Sequence, residues 1–217
     1  MRSDIDPVTD PGAGGRVAHH GNRHRRSEEA RRAVLEAADD LLVERGFAGL
    51  TVEGIAARAG VAKQTIYRWW AAKTDILMDA FVEDAEEDLV PPDTGDLRQD
   101  LCGHLRMLAE FLTVTDAGAV FRALAGQAQH DPELAARLRA DHLGQRRERD
   151  RTPLVRALAR GELPPDTDVD LAVDQLVGPI YYRVLVTGQP VPPEFTDQLV
   201  DRCLALIGPI DAPPGTR

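Results

Sequence analysis

The sequence predicts an all-α fold, a small three-helix head joined to a larger helical module. Three observations carry this. Apolar residues recur at three- and four-residue intervals along most of the 217 residues, and no stretch alternates with the period of two that a half-buried strand requires. Helix-stopping residues punctuate those stretches, at Gly46, Pro91-Pro92, Gly161, Pro164-Pro165, Gly188 and Gly208-Pro209. The charge is also divided: residues 16–75 hold 11 basic and 8 acidic side chains, whereas residues 76–217 hold 14 and 25, within a net charge of −10. Such asymmetry is expected where one module meets a polyanion and the other does not.

Residues 1–26 mix Pro, Gly and Asp with a late basic cluster, Arg23-His24-Arg25-Arg26, and show no apolar periodicity. They read as a disordered basic arm, either reaching a phosphate or minor groove or simply solvated. Ser27 then caps a helix over Glu28 to Arg45, with Val34, Leu35, Ala38, Leu41 and Leu42 as its buried stripe. Two short helices follow, and Lys73 or Thr74 opens a fourth that runs to Leu89 with Ile76, Leu77, Ala80 and Phe81 inward. In the second module, helices are predicted over Leu97 to Thr113 and Ala117 to Gln129. The next starts from an Asp131 cap with Pro132 in its first turn and reaches Arg160, kinked at Pro153. Val169 to Thr187, disturbed at Gly178-Pro179, and Pro193 to Ile207 close a set of nine helices. The domain boundaries are 1–26 for the arm, 27–73 for the head and 74–217 for the body.

The head carries the most specific signal. Thr51 caps one short helix, Ala59-Gly60-Val61 forms a tight turn, and a second short helix spans Ala62 to Trp70. Ala56 is small enough for the close crossing, Gly60 enters the left-handed region without steric cost, and Ile55, Val61 and Ile66 form an apolar lock. The second helix is polar on most sides. Lys63 and Lys73, the two lysines of the chain, and both tryptophans, Trp69 and Trp70, lie in this region. A helix so polar makes a poor core element but suits the major groove. Lys63, Gln64 and Thr65 are expected at base edges and Thr51, Tyr67 and Lys73 at phosphates, with Arg68 and Trp69 also among the DNA-binding residues.

The pattern Thr-Val-x-x-Ile-Ala-x-x-Ala-Gly-Val-x-x-x-Thr-Ile-Tyr-x-x-Trp-x-x-Lys, over Thr51 to Lys73 and preceded by Arg31-Arg32-Ala33-Val34-Leu35-Glu36-Ala37-Ala38, resembles the DNA-binding half of the TetR/AcrR family of bacterial one-component repressors. Trp70 and Gly54 depart from the residues usual there. The stretch from Gly161 to Gly188 resembles a C-terminal regulatory domain found with such heads. The resemblance implies a dimer that binds a palindromic operator and is released by a small molecule. It implies a cavity between the DNA-binding and dimer helices, for which Met107, Phe111, Phe121, Leu124 and Tyr182 are the candidates and a largely apolar or aromatic effector the expected guest.

The last two helices are apolar around more than one face, which suggests burial on both sides and a second subunit as one of the covers. Leu171, Tyr181, Leu185, Phe195, Leu199, Cys203 and Leu206 are the expected interface residues, an internal helix pair being the other reading. Cys102 and Cys203 fit no metal-ligand spacing and read as buried free thiols of a reducing cytoplasm. No apolar run reaches a membrane span and no signal-peptide core is apparent. His19, His20, His24, His104, His130 and His142 lie in no catalytic or metal motif, although His104 shares a helix with Met107 and Phe111 and could line a cavity. No cofactor, metal or catalytic residue is therefore expected. The alternatives are a transcriptional activator, an architectural DNA binder or an all-helical enzyme.

Overall fold

The computed structural model describes residues 20–85 and 90–208, and among them it contains ten α-helices and no strand. The head comprises α1 (His20–Gly49), α2 (Val52–Ala59) and α3 (Lys63–Trp69), and α4 (Lys73–Ala85) leads away from it. α1 starts one helical stretch earlier than Ser27, so Arg23 to Arg26 belong to its first turns rather than to a disordered arm. Residues 1–19 of that expected arm, and the expected end of α4 at Leu89, lie outside the described residues. The exposed pair Arg25–Glu29, one turn apart across Ser27, is consistent with the early start of α1, and Arg32–Glu36 repeats the pairing further along. Its regular course breaks at Gly46, as the sequence predicts.

The head packs around Val34, Ala38, Leu41, Ile55 and Ile66, all nearly or fully buried. Gly54, unfavourable in a helix by about 1 kcal/mol relative to alanine, sits where α2 presses on α1. A Cβ there would stand 3.2 Å from Thr51 Oγ1 and 3.7 Å from Leu41 Cδ1. Thr51 Oγ1 accepts from Gly54 N at 3.0 Å and so closes the N-terminus of α2 as expected.

The body consists of α5 (Leu97–Val114), α6 (Asp116–Ala128), α7 (Pro132–Leu138), α8 (Gly144–Arg160), α9 (Val169–Tyr182) and α10 (Pro193–Ile207). α6 packs on α5 and α7 and also on α1 and α4, which makes it the main bearing between body and head. Its crossing with α5 is very close. At Gly118 a Cβ would lie 1.8 Å from the Phe111 carbonyl oxygen, so glycine is obligatory. Thr115 completes the corner by accepting from Gly118 N and donating to Phe111 O. Ion pairs Arg98–Asp201 and Arg106–Asp197 join α5 to α10, and Arg147 and Arg151 join α8 to Asp170 and Asp174 of α9.

The helix expected from Asp131 to Arg160 is split, which accounts for ten helices in place of nine. A π turn over Arg139–Leu143 separates α7 from α8, while Pro153 stays inside α8 and buried. The irregularity therefore sits ten residues or more before the proline. Leu134, Leu138, His142, Arg146, Asp150 and Leu154 are buried at strict four-residue intervals. An α-helix drifts by about 40° at each such step, and a wider π turn takes back part of that drift. A second π turn, Arg183–Thr187, extends α9 to a left-handed stop at Gly188.

Candidate DNA-binding surface and internal cavity

α3 presents one buried residue, Ile66, and turns Lys63, Gln64, Tyr67 and Arg68 to solvent, with Thr65 and Trp69 half-buried. The polar side expected from the sequence is thus an uninterrupted outer face. Lys63 is held by Glu53 of α2 and lies over the Tyr67 ring at 5.5 Å, and Arg68 lies over Trp69 at 5.5 Å. The Glu53 carboxylate raises the Lys63 ammonium above its ordinary value, keeping it charged. Gln64 stays on the exposed face.

Lys73 has a different position from the one expected. Its ammonium donates to the carbonyls of Phe47 at 2.7 Å and Leu50 at 3.0 Å and rests 3.9 Å over the Phe47 ring. It therefore ties the start of α4 to the chain between α1 and α2, and burial lowers its pKa. Thr51 is likewise engaged as a helix cap. Trp70 is buried, packs edge-on against Trp69 at 5.4 Å, and donates from Nε1 to Asp79 of α4 at 2.9 Å. Asp79 also accepts from Arg31 of α1 at 2.9 Å. α4 is thereby bonded to the first and last parts of the head at once.

A cavity of about 650 Å³ opens in the body between α6, α7, the first π turn, α8 and α9. Its walls include Phe121, Ala125, Leu138, Leu143, Val177 and Tyr181, with Arg139, Arg146, Arg147 and Asp150 among them. Of the five residues expected there, Phe121 alone lines it. Phe111 and Leu124 are core residues behind the wall, and half-buried Met107 on α5 does not reach it. Tyr182 points outward, 59% exposed. Its neighbour Tyr181, expected at a subunit interface, instead faces Phe121 at 6.0 Å. One residue turns a helix by about 100°, and that difference exchanges the two tyrosines.

Sequence reasoning missed the polar groups of this region. His104, weighed as a possible cavity residue, is buried and donates from Nε2 to Asp150 Oδ1 at 2.7 Å. Arg146, 5% exposed, stacks on Phe111 at 4.4 Å. His142 packs against Phe81 of α4, with ring centroids 4.1 Å apart and planes tilted by 58°, and burial, reinforced by Arg146 and Arg149, lowers its pKa to about 4. Burial pushes the Tyr181 phenol up, against the opposing pull of Arg146. The available signal was the run His142, Arg146, Asp150 at the spacing of the apolar stripe.

On α9 and the turn that extends it, Leu171, Gln175, Gly178, Tyr182, Leu185 and Val186 form an exposed row at helical spacing, and Leu206 of α10 is 74% exposed. Phe195 and Leu199 are half-buried, with Arg183 3.5 Å over the Phe195 ring. Cys203, expected at the same interface, is buried within the subunit beside Ala172. No helix among the described residues is long and apolar enough to cross a membrane.

A helix-turn-helix with a polar outer face, joined through α4 to a cavity-bearing helical body, defines a DNA-binding regulator. Residues 34–80 match the model of bacterial regulatory proteins of the tetR family, and residues 91–203 match that of the tetracyclin repressor-like C-terminal domain. The chain is 41% identical to the HTH-type transcriptional regulator YdeS of Bacillus subtilis, over 81% of this chain and 88% of that protein. It is 32% identical to the DNA-binding transcriptional repressor TetR of Mycobacteroides abscessus, over 84% and 95% of the two chains. Among solved structures, the TetR family transcription regulator SCO0332 superposes with a TM-score of 0.67 at 39% identity, covering 83% of this chain and all of that one. The chain belongs to the TetR family of transcriptional regulators.

Proposed function

We propose that the protein is a repressor that binds a palindromic operator as a homodimer and leaves it when a small molecule fills the body cavity. The observation that carries the DNA half is the outer face of α3, where Lys63, Gln64, Tyr67 and Arg68 stand around one buried anchor. Gln64 and Lys63 can pair with base edges, and Tyr67 and Arg68 with the backbone. The exposed row Leu171, Gly178, Tyr182 and Leu185, interrupted by Gln175, supports a dimer, because exposed apolar groups aligned along a helix are normally covered, and Gly178 leaves room for close approach. The dimer would present two α3 helices about 34 Å apart, the repeat of the major groove.

The effector half of the reading rests on the cavity and its connection to α4. His142 touches Phe81, and Arg137 of α7 pairs with Asp75 in the first turn of α4, so the segment lining the cavity is fastened to the helix that carries the head. A guest that favours one arrangement of that segment changes DNA affinity only by its difference in affinity between the two.

Operator binding by fluorescence anisotropy, using the promoter of the protein's own coding region, is the test. Gln64→Ala should lower the preference for operator over scrambled DNA by about 1–3 kcal/mol, with an unchanged thermal melt. An unaltered preference would remove α3 as the reading helix. A basic surface with no operator preference in the unmutated protein would favour the architectural alternative.

A further inference from the structure

Arg146 is the most unusual group in the body. It is nine-tenths buried, it lines the cavity beside the Tyr181 hydroxyl with which its guanidinium interacts, and among the described residues its Nε has no hydrogen-bond partner. Stacking on Phe111 occupies the face of the guanidinium, while its in-plane N–H groups form the edge that recognises planar anions. The carboxylate that lines the same cavity, Asp150, is joined to His104 and forms no ion pair with Arg146 among the described residues. Arg147 at the rim is committed to Asp170 and Asp174, and Arg139 adds a further positive charge there. A buried cation without an anion is costly, by several kcal/mol before relaxation. It is retained most simply where an anion from outside supplies the partner.

We propose that the effector is an organic anion: an aromatic or acyl body against Phe121, Leu138, Val177 and Tyr181, with a carboxylate- or sulfonate-type head on the edge of Arg146. This rests on the reading of the cavity as the effector site and goes further by fixing the charge of the guest. It also revises the expectation of a simply apolar ligand. The charge-assisted fork on Arg146 selects for the head group, and the apolar walls select for the body.

The test compares two probes that differ by one anionic group, 8-anilinonaphthalene-1-sulfonate and N-phenyl-1-naphthylamine, titrated by fluorescence into the full-length protein. The folded protein should bind the sulfonate at least about ten-fold more tightly than the neutral amine, the range expected of a charge-assisted hydrogen bond. Arg146→Met should remove that preference by weakening the sulfonate and leaving the amine within about three-fold. Retained binding of the amine also shows that the variant has kept its cavity. Arg146→Lys, which keeps the charge and loses the fork, should keep part of the preference and serves if the methionine variant does not fold. Ala125→Trp, which fills the cavity, should abolish binding of both probes. If both bind and the ratio is the same in wild type and Arg146→Met, the anion proposal is overturned and the cavity reading stands. Binding of both probes untouched by Ala125→Trp overturns the cavity reading and the proposal together.

Discussion

The head and the body of this protein use the same material, amphipathic helices, in opposite ways. In the head the candidate functional side chains stand on the outside of α3, and Ile66, with half-buried Trp69 beside it, holds that helix to the core. In the body the candidate site lies inward, on the same faces of α6, α8 and α9 that build the core. A polar outer face can be recognised from residue types alone. An inner face made of Phe, Leu, Val and Tyr reads the same whether it closes a core or lines a cavity. The two modules therefore differ in how their variants should behave, and three changes probe that difference.

The largest effect belongs to the body. Gly118→Ala places a methyl group 1.8 Å from the Phe111 carbonyl oxygen, and only separation of α5 from α6 can relieve it. Loss of about 3 kcal/mol of unfolding free energy is expected, measured by urea denaturation. Because α6 also bears on α1 and α4, operator affinity should fall with it. A variant as stable as wild type would show that the α5–α6 crossing is softer than its geometry indicates.

His142 provides the intermediate effect. It is held neutral in the folded protein, with its pKa lowered from 6.5 to about 4 chiefly by burial. Between those values the unfolded chain binds the proton and the folded protein does not. Its contribution is therefore fully present well above pH 6.5 and is lost as the pH falls toward 4, about 2 kcal/mol of it by pH 5. His142→Phe preserves a ring contact with Phe81 and removes the titration, so its stability should be level from pH 6.5 to 5 where that of wild type declines. Parallel pH profiles for the two proteins would place the acid sensitivity elsewhere.

The smallest effect is in the head. Gly54→Ala gains up to about 1 kcal/mol of helix propensity and meets Thr51 Oγ1 at 3.2 Å, a side-chain contact that can adjust by a few tenths of an ångström. The two terms nearly offset, and a stability within about 1 kcal/mol of wild type is expected. A loss as large as that of Gly118→Ala would mean that the head is as tightly constrained as the body.

The site in the head was legible because its signals are local. The Thr51 cap, the Gly60 turn and the spacing of Ile55, Val61 and Ile66 fix a helix-turn-helix through contacts a few residues apart, and the structure returns each of them. Lys73 is the exception. Its bonds run to Phe47 and Leu50, more than twenty residues back, and a long-range partner leaves no trace in the local pattern.

The sequence by itself determined the all-α class, the position of most helices, the charge division and the buried stripe of the first helix, because periodicity and helix-ending chemistry act within one or two turns. Tertiary structure decided which stripe residues meet a cavity rather than a neighbour. Tyr181 and Tyr182 are adjacent and chemically alike, and only the position of α6 across from α9 assigns one to the interior and the other to the surface. It likewise decided that Arg146 is buried with no ion pair among the described residues, since that depends on where Asp150 finds its partner, His104 on a separate helix. Such assignments follow from how helices distant in sequence are set against one another, which their individual patterns do not encode.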